Sequence, residues 1–401
     1  MREMTSSNSV DNITWDTVRA NKFCASVTDG THDSPKPQKF GKKLITSKHL
    51  MGDYIDFDSA NWISENDYKK IISRSIVEQW DVLFSMIGTI GNIYIEKNPV
   101  VKYACKNMGI FKFAGNKENA YWMYYYLQSP QAKEYFQSHL RGSTQSYVPL
   151  CSLREMPVPI PDKKTRNGIV SLLRSLDVKI AINREINDNL QQQAASIFVE
   201  WLNTCTDFST IGDMAHNILD YSPVGSEQIR LLNSSDVTEG VFPIAPLVPN
   251  KDLKGHFKKR FKFGDILYSE IRPRNHHYGF VLFDASDYIA STRLMVIRAI
   301  ENKVSPAMLY QYLLLPEVEA EFTLKTESRS GTFPQGNYAD MASIRVPYSP
   351  TDSQVAISET LTQIRYTIAQ NQLESQRLAE LRDTLLPKLM SGEIDVSAVQ
   401  L

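Results

Sequence analysis

IVSLLRSLDVKIAINREINDNLQQQAASIF, residues 169–198, returns further along the chain as ISETLTQIRYTIAQNQLESQRLAELRDTLL, residues 357–386. In the first copy Ile169, Leu172, Leu173, Leu176, Ile180, Ile186, Leu190, Ala194 and Ile197 fall at the three-and-four spacing of one helix stripe. In the second, Ile357, Leu361, Ile364, Ile368, Leu378, Leu381 and Leu385 do the same. A shift of 188 carries Ile169 onto Ile357, Ile180 onto Ile368 and Asn183 onto Asn371. Each stripe is too narrow to be buried alone and each has a matching partner, so the two helices are read as one intrachain coiled coil. The end of the first helix and the start of the second share the intervening segment as a neighbour, which favours antiparallel pairing with short connections. Asn183 and Asn371 lie near the middle of their stretches and are expected to meet as a buried register device. The alternative is two exposed asparagines on unrelated surface helices.

The segments on either side of the first helix repeat in the same order. LITSKHL (44–50) matches LLNSSDV (231–237), DVLFSMIGTIG (81–91) matches DILYSEIRPRN (265–275), and RGSTQSYVPL (141–150) matches RSGTFPQGNY (329–338). MPVP (156–159) matches IRVP (344–347), and every shift lies between 184 and 189. A repeat of that length is a whole domain with its helix, not a solenoid unit. The expected fold is therefore α+β: two duplicated mixed α/β domains separated by a two-helix antiparallel coiled coil with pseudo-twofold symmetry. The boundaries read as a polar leader at 1–14, a first domain at 15–161, a first helix at 162–203, a second domain at 204–348, a second helix at 349–390 and a tail at 391–401. NAYWMYYYLQSPQAKEYFQSHL reads as one helix whose aromatic run is core rather than a base-stacking face. MPVPIPD reads as a stiff extended entry to the first helix. The second helix is expected to open with Ser349 and Pro350 and to close at Leu386 and Pro387.

With 401 residues, 42% hydrophobic and 22% charged, the chain has the composition of a soluble globular protein. No apolar run approaches a membrane span and the start MREMTSSNSVDN lacks a signal-peptide core, so a cytoplasmic location is expected. Cys24, Cys105, Cys151 and Cys205 stand far apart, which indicates neither disulfides nor zinc. No phosphate loop, GxSxG elbow, HExxH motif or dinucleotide fingerprint is present. Asp162, Asp177 and Lys179 echo a nuclease grouping, but Asp177 and Lys179 sit two apart on one helix and cannot share a metal pocket.

The basic groups carry the remaining signal, since a net charge of -1 leaves room for local basic surfaces. Lys251, Lys254, Lys258, Lys259, Arg260 and Lys262 crowd together with His256 and Phe257, followed by Arg272, Arg274, His276 and His277. In the first segment DGTHDSP, with Thr31 and His32, precedes Lys36, Lys39, Lys42 and Lys43. Such loops suit phosphate contact, and an arginine at a rigid hairpin tip suits guanine. The matched loops Arg141, Ser143, Thr144, Gln145 and Arg329, Ser330, Thr332, Gln335 carry donors for base edges or phosphates, although they could equally cap the preceding helix. Solvated surface loops are the alternative throughout.

The paired segments, the DVLFS/DILYS strands, the RGSTQ loop entering VPIP, and the ending RLAELRDTLLPKLMSGEIDV (377–396) resemble the specificity subunits of type I restriction-modification systems across nearly the whole chain. The resemblance implies two target recognition domains, each reading half of a split double-stranded DNA sequence, with the helices as spacers and no catalytic residue. It further implies two methyltransferase subunits using S-adenosylmethionine, and restriction subunits that translocate with ATP and Mg. EIRPRNHH stands where the first domain has MIGTIGN, so the half-sites should differ. Thirty helical residues span about 45 Å, a little over one ~34 Å turn of DNA. Arg174, Arg184, Arg377 and Arg382 are candidate docking residues for the methyltransferase, against a merely solvated face. Two other readings stand beside this one: a structural coiled-coil adaptor and an autonomous metal-dependent nuclease.

Overall fold

The computed structural model describes residues 15–327, 335–349 and 352–396. They form two compact units, one of residues 15–178 with 379–396 and the other of the described residues between 179 and 378.

In the first unit β1 (Asp16–Arg19) and the short α1 (Ala20–Phe23) lead to β2 (Ser26–Asp29), β3 (Lys42–Ile45) and β4 (Asn61–Ile63). Then come α2 (Glu65–Ser75), β5 (Val82–Ser85), β6 (Ile93–Ile95), β7 (Tyr103–Cys105) and β8 (Met108–Lys112). Helices α3 (Lys117–Gln128), α4 (Pro130–Ser138) and α5 (Leu150–Glu155) precede β9 (Pro157–Ile160) and the long α6 (Lys163–Leu202). The strands make an antiparallel β2-β8-β5-β6 sheet, a β4-β3-β7 sheet whose β3 and β7 run parallel, and a β1-β9 ribbon.

The second unit repeats this strand order with one strand added. It holds β10 (Phe208–Thr210), the short α7 (Ile211–Met214), β11 (Ala215–Asn217), β12 (Gln228–Leu232), β13 (Leu247–Pro249), β14 (Phe257–Lys259) and β15 (Ile266–Ser269). Next are β16 (Tyr278–Phe280), β17 (Tyr288–Ser291), β18 (Leu294–Ala299), α8 (Pro306–Leu313), α9 (Pro316–Glu327), α10 (Tyr338–Ala342), β19 (Arg345–Pro347) and the long α11 (Asp352–Ser391). Its sheets are β11-β18-β15-β16, β13-β12-β17-β14 and β10-β19, so β14 is the one strand among the described residues with no counterpart in the first unit.

The same local chemistry builds both copies. Asp81 and Asp265, opening the DVLFS and DILYS strands, are buried and take a backbone N–H from the turn before them (Glu78 and Lys262, both at 2.8 Å). Each also receives the cation of the neighbouring strand, Lys112 at 2.8 Å and Arg298 at 2.6 Å. These aspartates are structural corner pieces. The aromatic run of α3 is core, with Trp122 donating to the Pro159 carbonyl at 2.9 Å and Tyr126 to that of Pro157. In the second unit Tyr312 of α8 donates to the carbonyl of Pro347 at 2.7 Å.

The stretch read as a single helix after Asn119 is broken at Ser129. Its successor Pro130 keeps it extended (φ -67°, ψ 156°), and its hydroxyl caps α4 by accepting from Ala132 N at 3.3 Å. Pro387 does not end α11, which continues to Ser391. Leu386, Leu389 and Met390 are buried in the first unit's core, and that burial outweighs the hydrogen bond a proline removes. The hydroxyl of Ser349 accepts from Thr206 N at 3.0 Å and Asp207 N at 3.3 Å, while Pro350, expected with it at the opening of the second helix, lies outside the described residues.

Within each unit α6 and α11 run antiparallel. In the first unit Asp177 of α6 meets Arg382 of α11 at 2.8 Å. In the second, Asn183 reaches Ser375 at 3.2 Å and Asn187 the Ile368 carbonyl at 3.3 Å. Asn183 and Asn187 are both buried in the seam, whereas Ile186 and Leu381, counted in the apolar stripes, are exposed. Asn183 donates to the backbone carbonyl of Asn371 (3.4 Å) and to Glu374 (2.7 Å), while the side-chain partner of Asn371 is Asn187, at 2.9 Å, one turn beyond the expected residue.

Candidate nucleic-acid interface

In the first unit, one end of the β2-β8-β5-β6 sheet gathers the loops that follow β2, β3, β5 and β7. Thr31 N donates to Cys105 O (2.9 Å), Asn107 N to Thr31 O (3.0 Å), and Val148 N to Met86 O (3.0 Å). Ser85, the last residue of β5, sets the loop after it: its hydroxyl accepts from Asn92 N at 2.8 Å and donates to Thr89 O. The Asn92 amide then donates to the carbonyls of Ser47 and Leu50, tying this loop to the turn after β3. A second loop lies across it, closed by a two-way backbone pairing of Arg141 with Tyr147 at 2.9 and 2.8 Å. Gly142 (φ 94°) makes that closure possible, since a Cβ there would lie 2.4 Å from Gln145 O.

This end presents His32, Lys48, Arg141, Ser143 and Gln145 to solvent, and Lys36, also exposed, lies on the segment that leads from there to Gln38, which pairs with Trp62. Thr31 is buried at its base, its hydroxyl accepting from Asp33 N at 3.1 Å. The His32 ring stands between Asn107 and Asp29, 2.9 Å from each. Lys42 and Lys43 open β3, at the end away from Ile45 and the gathered loops. Lys42 pairs with Glu65 at 3.3 Å, and Lys43 donates to Ala60 O at 2.8 Å over the Trp62 ring. The structure therefore separates these two lysines from the loop cluster.

The second unit uses the same end of the equivalent sheet. Ser269, the counterpart of Ser85, accepts from Ile271 N at 3.1 Å and starts a loop containing the 3-10 turn Pro273–Asn275. Arg272 and His276 flank that turn in the left-handed region, with φ 47° and 55°. Gly336 N donates to Glu270 O at 2.8 Å and the Gln335 amide lies 3.4 Å from Glu270, so the loop before α10 again lies across the loop after the strand. Arg272 and Arg274 are exposed, and Arg274 pairs with Glu327 at 3.2 Å. His276 is held by Glu239 (3.1 Å) and Glu319 (3.0 Å). Burial works against its charge, but the hydrogen bond to Glu239 and the nearby Glu319 outweigh burial and raise its pKa above the ordinary value. Arg329, Ser330 and Thr332 lie outside the described residues.

The basic run is not one continuous loop. Phe257–Lys259 is strand β14, so Lys258 points to solvent while Lys259 is buried, donating to Leu294 O at 2.7 Å and facing Glu270 at 3.7 Å. Burial lowers the pKa of Lys259, and it is placed to hold the loop's base rather than to meet a phosphate. Arg260 is turned inward to Ser286 O at 2.9 Å. Sequence reasoning overlooked Arg293, exposed in the turn between β17 and β18, whose carbonyl accepts from Glu270 N at 2.9 Å. The signal was available, since the turn occupies the place of Lys106–Asn107 in the first copy.

The nuclease grouping dissolves. Asp162 caps α6, accepting from Lys164 N (2.9 Å), Thr165 N (3.1 Å) and the Thr165 hydroxyl (2.6 Å), and this hydroxyl bond foremost lowers its pKa. Asp177 is taken by Tyr125 and Arg382, and Lys179 pairs with Glu374 at 3.2 Å. Among the described residues no cluster of His, Cys, Asp and Glu could hold a metal, and no helix is long and apolar enough to cross a membrane. Of the four candidate docking arginines, Arg184 and Arg377 are exposed, while Arg174 lies over the Tyr121 ring at 4.3 Å and Arg382 is committed to Asp177.

Comparison with known proteins agrees with this construction. The chain is similar to the specificity subunit of the type I restriction enzyme HindI of Haemophilus influenzae, 35% identical over 179 residues, which cover 44% of this chain and 39% of that one. It is 21% identical to the putative type I restriction enzyme MjaX specificity subunit of Methanocaldococcus jannaschii over 95% of this chain and 94% of the relative. The S subunit of a type I restriction-modification system from M. genitalium shares the fold, with a TM-score of 0.58 at 14% identity over 96% of this chain and 98% of that one. The model of the type I restriction modification DNA specificity domain matches residues 36–192 and 244–382, and the chain belongs to that family.

Proposed function

We propose that this chain is the DNA-specificity subunit of a type I restriction-modification complex, each unit reading one half of a bipartite double-stranded target. The observation that carries the reading is the shared geometry of the two loop clusters: one end of the same four-stranded sheet, organised by Ser85 and Ser269, presents different side chains in each copy. Arg141, Ser143 and Gln145 with His32 and Lys36 would serve one half-site. Arg272, Arg274, Lys258 and Gln335, with Arg293 added, would serve the other; exposed arginines on a rigid turn suit guanine, and lysines suit phosphates. Arg329 and Thr332 belong to the same proposal by sequence alone.

The chain itself does no chemistry in this reading. Two methyltransferase subunits supply transfer from S-adenosylmethionine, restriction subunits supply ATP- and Mg-dependent translocation and cleavage, and the exposed faces of α6 and α11 are the docking surfaces. A gel shift with the full chain, with and without its methyltransferase, on mixed-sequence duplexes tests it. Salt-sensitive, sequence-selective retention without cleavage is expected; metal-dependent cutting by the chain alone, or binding to protein but never to DNA, would overturn it. Adding four residues to α6, about 6 Å, should lengthen the unread spacer by about two base pairs in a methylation map, if the helices act as the ruler.

A further inference from the structure

We propose that Glu270 is a positioning residue: it turns the Gln335 amide oxygen outward, so that this side chain accepts from adenine or cytosine and rejects guanine and thymine. This rests on the proposed reading of DNA by the loop end of the second unit. Glu270 follows Ser269 at the start of the loop after β15, and three neighbouring segments meet on it. Its N–H donates to Arg293 O at 2.9 Å, and its carbonyl accepts from Gly336 N at 2.8 Å. Its side chain, 18% exposed, faces the Lys259 ammonium at 3.7 Å and accepts from Gln335 Nε2 at 3.4 Å.

The charge of Glu270 decides which way round the amide sits. In its ion pair with Lys259 the side chain is a carboxylate, which can only accept hydrogen bonds. The amide nitrogen must therefore turn towards it, because the opposite flip would set oxygen against oxygen. Lys259 is itself fixed by donating to Leu294 O at 2.7 Å, and it comes from the strand with no counterpart in the first unit. Gln335 is exposed, and among the described residues its Oε1 has no partner. In the major groove an amide oxygen accepts from the N6 amino group of adenine or the N4 amino group of cytosine, whereas guanine O6 and thymine O4 are themselves acceptors.

The first unit has the same backbone joint without this device. Met86 stands in the place of Glu270, its N–H directed to Asn107 O at 3.4 Å and its carbonyl accepting from Val148 N at 3.0 Å. Ile87 bridges Tyr147 as Ile271 bridges Gln335, so a phenol occupies the position of the amide. Met86 is 3% exposed and uncharged. The joint does not require an acid, and what Glu270 adds is the orientation of Gln335.

The experiment is selection of bound duplexes from a randomised pool by the full chain with its methyltransferase, using the unaltered protein, Q335A and E270Q. The unaltered protein is expected to prefer adenine or cytosine on one strand at one position by about tenfold, and Q335A to lose that preference alone. In E270Q the new amide can pair with either end of Gln335, so guanine and thymine are expected to enter at that position while every other position keeps its preference. Equal weakening on all sequences, or an unchanged preference at that position, would overturn the proposal, since a merely structural residue does no more than this. A second measurement needs no variant: deamino analogues, purine for adenine or pyrimidin-2-one for cytosine, are placed in turn along the selected target. Binding is expected to fall about tenfold at the position in question, and undiminished binding of every such duplex overturns the proposal. A pool from which the unaltered protein selects no sequence overturns the DNA reading itself.

Discussion

Arg382 is the place to test how α11 is held on the first unit. Its guanidinium lies 2.8 Å from Asp177, whose carboxylate also accepts from the buried Tyr125 hydroxyl at 2.6 Å. The two charged side chains are 23% and 25% exposed, so the pair is neither dry nor freely solvated. A charge-assisted hydrogen bond in such a setting is worth about 1.5–3 kcal/mol, and the remaining exposure argues for the low end. R382M keeps the packing of the stem and strands Asp177 with one donor, so a loss of about 1.5 kcal/mol is expected. For a unit of this size that is a fall of roughly 3–6 °C in its melting transition. D177N removes the stranded charge, and the pair D177N/R382M should recover about 1 kcal/mol relative to the sum of the single variants. Calorimetry of the full chain, with hydrogen exchange of the peptides covering 163–178 and 379–396 to assign the transition, reads both numbers. Unchanged melting of R382M, or strict additivity in the double variant, would refute the idea that the ion pair seats the helix.

Three further outcomes follow from the site. His276 has a raised folded pKa, so its contribution is complete below the ordinary value of 6.5 and is lost as pH rises through the folded value; exchange protection of residues 270–277 should fall over that window, and H276Q should remove the dependence. G142A forces a Cβ to within 2.4 Å of Gln145 O in a backbone conformation that disfavours it, so the loop must open; binding to one half-site should weaken about tenfold while the melting point moves by no more than ~2 °C. K258A should reduce the salt slope of DNA binding by about 0.9, whereas K259M, lacking any phosphate to release, should leave the slope unchanged and destabilise the loop base; equal slopes for the two variants would contradict their opposite placement on β14.

The long helices were legible in the sequence because a 4-3 apolar rhythm survives any local irregularity, and the duplication because its matched strands carry the same buried corner residues. What escaped has physical causes. Ile186 and Leu381 were counted in the stripe because they are apolar, yet the seam turns on geometry, and Asn187 and Arg382 occupy the facing positions through hydrogen bonds and an ion pair. Pro130 and Pro387 show one residue type acting in opposite ways: Pro130 breaks a helix whose flanks can cap separately, while Pro387 is carried through by the burial of Leu386, Leu389 and Met390. The basic run was read by composition alone. Its two-residue period, Phe257 in, Lys258 out, Lys259 in, is a strand signal, but comparing the copies could not reveal it because β14 has no twin.

The repeat itself constrains what the chain can recognise. Asp81 and Asp265 make the same bonds in each copy, Ser85 and Ser269 each open the loop after their strand, and Tyr126 and Tyr312 each tie a helix to the strand before a long helix, so the frame is shared. Between those fixed points the loop after Ser85 turns on Gly88 and Gly91, with φ of 80° and 97°, and offers no charge. The loop after Ser269 turns on Arg272 and His276 and displays two exposed arginines, with three carboxylates engaging His276 and Arg274. A frame that holds constant while the residues it presents change from neutral glycine turns to a cationic 3-10 turn cannot offer both copies the same donors. If each unit reads DNA, the two halves of the target must therefore differ, and a methylation map returning a palindromic half-site pair would contradict the placement of the reading surface on these loops.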